Sequence, residues 1–121
     1  DEALQTIEKI EFPETKIRAL QEIANSSNDL SLLEKAAEIA KEIEFAEERI
    51  RAYLNISYQY LEADRKDKAI EVLDKARQYA ETLDSVQQDA FLSNISQGFM
   101  KAGSIDLADR TLDLVADKYE I

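Results

Sequence analysis

The chain says nearly the same thing twice. KIEFPETKIRA at residues 9–19 and EIEFAEERIRA at residues 42–52 agree at Ile, Glu, Phe, Glu, Ile, Arg and Ala, 33 residues apart. A period of that length is one supersecondary unit, which cannot bury its apolar face without a neighbour. The duplication therefore restricts the chain to folds made by stacking similar units.

Helical periodicity runs almost from end to end. Ala3, Leu4, Ile7 and Ile10 fall at i, i+1, i+4 and i+7, one face of an α-helix. After EFP, a second face carries Ile17, Leu20, Ile23 and Ala24, and the polar NSSND at 25–29 predicts an early helix end. Ser31 with Glu34 reads as a capping box opening a third helix, which bears Leu32, Leu33, Ala36, Ala37, Ala40 and Ile43. A fourth covers about 46–63, with Ile50, Tyr53, Ile56, Ser57 and Tyr60 inward. Asp67 is placed to cap a fifth carrying Ala69, Ile70, Leu73 and Ala76. Ser85 with Gln88 reads as a second capping box, for a sixth with Phe91, Leu92, Ile95 and Phe99. Gly103 suits a left-handed stop, and Ser104 or Asp106 opens a seventh helix to about Tyr119. Short loops between such helices make neighbours antiparallel. The fold class is all-α, with about seven helices.

Within the unit from Tyr53, the order is bulky Tyr53, then Ile56, small Ser57, Tyr60, small Ala69, Leu73 and Ala76. Small residues at 57 and 69 let two antiparallel helices approach closely, while the bulky ones fill the grooves beside the contact. This string resembles the tetratricopeptide repeat, with Tyr for the leading Trp and Ser for the first small residue. Leu92, Ile95, Ser96, Phe99, Ala108, Leu112 and Val115 repeat it, and Leu20, Ile23, Ala24, Ser27, Ala36, Ala40 and Ile43 form a weaker copy. Ala19 to Ala52 spans 33 residues and Ala52 to Ala90 spans 38, around the family's period of about 34. The resemblance implies a right-handed α-solenoid of antiparallel helix pairs over 1–121: half a repeat at 1–15, then repeats at about 16–48, 49–86 and 87–121. The duplicated stretch becomes the joint between units, with Phe12 and Phe45 expected to staple the turn onto the core. The chain reads as a segment of a larger protein.

Function is bounded first by what is missing. With no His, no Cys and no Gly-rich loop, metal, thiolate and nucleotide chemistries lack their usual residues, and the redox compartment stays undecided. Glu47 with Glu48, and Asp106 with Asp109, read as helix-start acids complementing the dipole rather than catalytic pairs. No catalytic residue, metal site or cofactor is assigned, and the chain reads as a non-enzyme. Net charge is −11, from 26 acidic and 15 basic residues, and no basic stripe offsets it, which argues against nucleic acid as a partner. No apolar run approaches the ~20 residues of a membrane span, so no membrane insertion is expected.

What the resemblance implies instead is a protein-interaction module or scaffold, holding an extended peptide or a helix of a partner protein in a concave groove lined by the first helix of each unit. Spacing offers Arg18, Gln21 and Asn25 from one such helix, Arg51, Leu54, Asn55 and Tyr58 from the next, and Asn94, Gln97, Met100 and Lys101 from the third. The amides can clamp a peptide backbone without demanding charge, and Tyr and Arg are common interface hot spots. Some family members grip a C-terminal carboxylate with basic residues there. This chain has Gln21, Ala90 and Asn94 instead, although Asn25 and Asn55 match, so an uncharged or mildly basic segment is the expected ligand. Two other readings stand beside this one. The chain could self-associate through apolar end surfaces bearing Leu4 and Ile10, or Leu112, Leu114, Val115 and Tyr119. It could also be a regulatory segment of a larger enzyme.

Overall fold

The computed structural model describes residues 5, 6, 9 and 12–116. Among them are six helices and no strand: α1 Pro13–Ser27, α2 Ser31–Ala40, α3 Ala46–Glu62, α4 Lys66–Ala80, α5 Ser85–Lys101 and α6 Ile105–Ala116. The helix expected around Ala3, Leu4, Ile7 and Ile10 falls outside the described residues, as does Tyr119.

Consecutive helices pack as pairs, α1 on α2, α3 on α4 and α5 on α6, and each pair meets the next through α2–α3 and α4–α5. The odd-numbered helices also touch in series, α1 with α3 and α3 with α5. None of these helices, at 10 to 17 residues, would hold in water alone, so each depends on burying its apolar face. The pairs close at small residues. Ser57, Ala69 and Ala36 are fully buried, and Ser96 reaches across to α6, its Oγ donating to the Ala108 carbonyl at 2.9 Å. Gly98 serves the same purpose between α4 and α5: a Cβ there would lie 2.7 Å from a Leu73 methyl.

The helix bounds revise the register. α1, α3 and α5 start at Pro13, Ala46 and Ser85, offsets of 33 and 39, so Ala52 corresponds to Phe91 rather than to Ala90. The longer second offset follows a longer second helix: α4 has 15 residues where α2 has 10. NSSND ends α1 as expected, at 15 residues against the 17 of α3 and α5. The helix continues to Ser27, with both serine hydroxyls donating to the Ile23 carbonyl, and ends where Asn28 turns left-handed at φ 57°. Leu54, expected in the groove, is buried.

The joints are built differently from the expectation. Phe12 and Phe45 do not staple anything; they are 65% and 61% exposed. Each is the N-cap of its helix with extended backbone, which directs the side chain away from the helix axis, and buried Ile43 anchors the second joint instead. Neither expected capping serine is an N-cap: Leu30 takes that place before Ser31, and Asp84 before Ser85. Asp29 accepts from the Ser31 amide and hydroxyl at α2, while Glu34 pairs across to Lys68. Asp67 lies inside α4, after the N-cap Arg65, where the Lys68 amide and then Arg65 hold its carboxyl below the usual range. Gln88 is buried and turns backwards, donating to the Ala80 and Leu83 carbonyls at 3.0 and 3.3 Å. Its counterpart 39 residues earlier, Arg49, donates to the Ile43 and Glu44 carbonyls at 2.7 and 3.0 Å. One position in the first turn of α3 and of α5 thus satisfies the orphan carbonyls of the joint before it.

Tyr79 extends that anchor, with the Arg49 guanidinium 4.7 Å above its ring and Tyr53 stacked beneath at 5.9 Å. Burial, more than its neighbour Tyr79, pushes the Tyr53 hydroxyl up to about 12.

The turns inside the second and third pairs match each other. Gly103 has φ 83°, with the Gly103 amide bonded to Met100 and the Ser104 amide to Phe99, a Schellman stop. Asp64, its counterpart, has φ 59° and the same two bonds, from Asp64 to Leu61 and from Arg65 to Tyr60. A non-glycine residue is strained there. Asp64→Gly should therefore raise stability by about 0.5–1 kcal/mol, strain relief outweighing glycine's greater unfolded-state entropy. Thermal melts should show a midpoint a few degrees higher; an unchanged or lower one would contradict the equivalence of the two turns.

Candidate functional site

The corrected register aligns the exposed side of the three odd-numbered helices. Arg18 and Asn25 on α1, Arg51, Asn55 and Tyr58 on α3, and Ala90, Asn94 and Gln97 on α5 form one repeating stripe. Gln21 is one position off that stripe, since its counterpart is the buried Leu54, and it is half-buried itself.

Four of the expected residues come together. Arg18, Gln21, Arg51 and Asn55 line a concavity of about 290 Å³ between α1 and α3, with Glu14 and Glu48 among its other walls. Gln59, which the sequence did not single out, pulls these two helices together: its Nε2 donates to the Gln21 carbonyl at 3.2 Å. Its Oε1 is buried with no hydrogen-bond partner among the described residues.

Two further contacts carry the face on to α5. The Arg51 guanidinium lies 5.6 Å from the centre of the Phe91 ring, and the Lys101 ammonium lies 5.7 Å from that of Tyr58. Phe91 is buried, so Arg51 caps the edge of the core, whereas Tyr58 and Lys101 keep an exposed surface. Such contacts hold long cationic side chains in place at a cost in freedom below that of a mobile one. Asn25, Asn94 and Gln97 are exposed and lie outside the concavity. The face therefore offers ordered cations, an aromatic ring and carboxamides, with two carboxylates close to the arginines.

A larger hollow lies where no site residue was expected. A cleft of about 860 Å³ is bounded by α2 and α4, with Lys16 and Leu20 of α1 and Tyr60 of α3 also lining it. Lys68 spans it, pairing with Glu34 at 3.1 Å and Glu71 at 3.7 Å. The cleft escaped sequence reading because its residues are charges on the outer sides of two second helices, which ordinarily need no explanation. Only the absence of close α2–α4 packing, a tertiary fact, makes them a site.

Among the described residues no helix is long and apolar enough to cross a membrane.

The Glu34 hydrogen bond, with Glu71 second, raises the Lys68 pKa above its ordinary 10.5. A raised folded-state value means that the pair's contribution is complete below the ordinary lysine range and is lost as pH rises through the Lys68 value. Glu34→Gln should move Lys68 back towards 10.5 in an NMR titration of its Nζ. An unmoved midpoint would mean that α2 and α4 are not bridged there. Comparison with protein-family models, with curated proteins and with solved structures finds no match to this chain.

Proposed function

We propose that the chain is a right-handed, tetratricopeptide-like solenoid segment that acts as a non-enzymatic protein-interaction module. It holds an extended peptide or a helix of a partner protein along the face shared by α1, α3 and α5. The observation that supports this is the convergence of Arg18, Gln21, Arg51 and Asn55, from two separate helices, on one concavity. The order of contacts supports the solenoid reading, since each helix packs on the next along the chain and the first helices also touch in series.

The chemistry of the face suits a main chain with few charges. Carboxamides at Gln21 and Asn55, continued by Asn94 and Gln97, supply both donors and acceptors, as an extended backbone requires. Glu14 and Glu48 line the same concavity as Arg18 and Arg51, so its two cations and two carboxylates sum to no net charge and favour no terminal carboxylate. Tyr58, held by Lys101, is the aromatic anchor.

The test is affinity capture from a lysate of the source organism, with bound proteins identified by mass spectrometry. Arg51→Ala combined with Tyr58→Ala should weaken the captured partner at least about tenfold, the loss of roughly one hot spot. Its melting temperature should stay within a few degrees of the parent's, because exposed cation–π contacts are worth only about 0.5–1 kcal/mol each. Equal capture by parent and variant would refute the groove reading, and loss of fold would refute the assignment of the faces.

A further inference from the structure

We propose that a second copy of this chain docks the outer face of α6 into the α2/α4 cleft, a head-to-tail contact independent of the α1/α3/α5 face. Both halves of the contact are visible in the single chain, and their charges are opposite.

Consider the cleft first. Leu20, Ala37, Tyr60 and Val72 give it an apolar floor. Its three carboxylates are already occupied: Glu34 and Glu71 by Lys68, and Glu38 by Lys41 at 3.4 Å. Three of its lysines, Lys16, Lys35 and Lys75, have no ion pair within 4.0 Å among the described residues. Four lysines against three glutamates line it, so in a chain of net charge −11 this hollow carries a small net positive charge. Its occupant must bring apolar side chains and free carboxylates on one short rod.

The outer face of α6 is such a rod. Ile105 and Leu112, 64% and 42% exposed, lie seven residues apart on one side of the helix. Asp106, Asp109 and Asp113 flank them, all exposed and without an ion pair among the described residues; Arg110 is the exposed cation nearby. Ala108, three residues after Ile105 and four before Leu112, is buried against α5 together with Thr111, so the exposed strip runs along the margin of that seam.

Because the two surfaces differ, the contact is heterologous and builds chains of copies rather than a self-closing dimer. A rod of two turns buries less than a standard interface, so association is weak, concentration-dependent and reduced by salt.

Sedimentation velocity over about 10 μM to 1 mM, a range that brackets weak association, reads this directly. The parent's average mass should rise with concentration and fall back with added salt. Lys35→Glu with Lys75→Glu should raise the dissociation constant at least about tenfold, and Asp109→Lys with Asp113→Lys should do the same. Mixing these two double variants should restore growth, since each then supplies the complement of the other. The Arg51/Tyr58 variant should associate like the parent. All four positions changed on the cleft and on α6 are surface charges, and circular dichroism checks that the variants remain folded. A constant mass, growth that survives either charge reversal, a mixture that stays inert, or association lost with Arg51 and Tyr58 would each overturn the proposal.

Discussion

The structure rests on the close approach of antiparallel helices at small buried residues. Where Ser57 and Ala69, or Ser96 and Ala108, occupy the seam, the helices can bring their larger neighbours, Tyr53, Tyr60, Leu92 and Phe99, into one packed interior. A bulky residue at any of these four positions would separate a pair and expose both faces. Serine is admissible there because its hydroxyl bonds to a backbone carbonyl, Leu54 in one case and Ala108 in the other, so the buried oxygen is satisfied. Every wider contact, including the series α1–α3–α5, depends on these seams being thin.

The second requirement is that the chain turn between pairs without leaving orphan carbonyls. Arg49 and Gln88 meet it by the same route with different chemistry, one charged and stacked on Tyr79, the other neutral and buried. The conserved part of the duplication is the joint and the helix start, and the device that fixes the joint sits between its conserved Glu and Ile.

Much of this was legible from the residues alone, and the failures have physical causes. Apolar spacing located all six described helices and nearly all of the core, because period-3.6 burial is what the packing selects. Side chains near helix starts were misread wherever a tertiary partner outbid a local one. Glu34 went to Lys68 on another helix, and Gln88 to the preceding joint. Phe12 and Phe45 stand where large apolar residues usually staple a turn, yet extended N-cap geometry leaves both in solvent. On the proposed face, spacing recovered Arg51, Asn55 and Tyr58 on α3 and missed at one repeat position, where Leu54 is buried and its counterpart Gln21 is half-buried. The α2/α4 cleft had no signature at all, since it comes from two helices that meet through the Lys68–Glu34 pair rather than through close packing.

Two surfaces of different character result: a mixed-charge, amide-bearing face on the first helices and a lysine-rimmed hollow between second helices. The central claim is that the first of these is where a partner protein lies. Nuclear magnetic resonance shift mapping of the chain, with and without a partner recovered by capture, tests this most directly. The account predicts perturbed amides along Arg18, Arg51, Asn55, Tyr58, Asn94 and Gln97, with α2 and α4 unchanged. Perturbation confined to α2 and α4 would contradict it and make the cleft the partner's site.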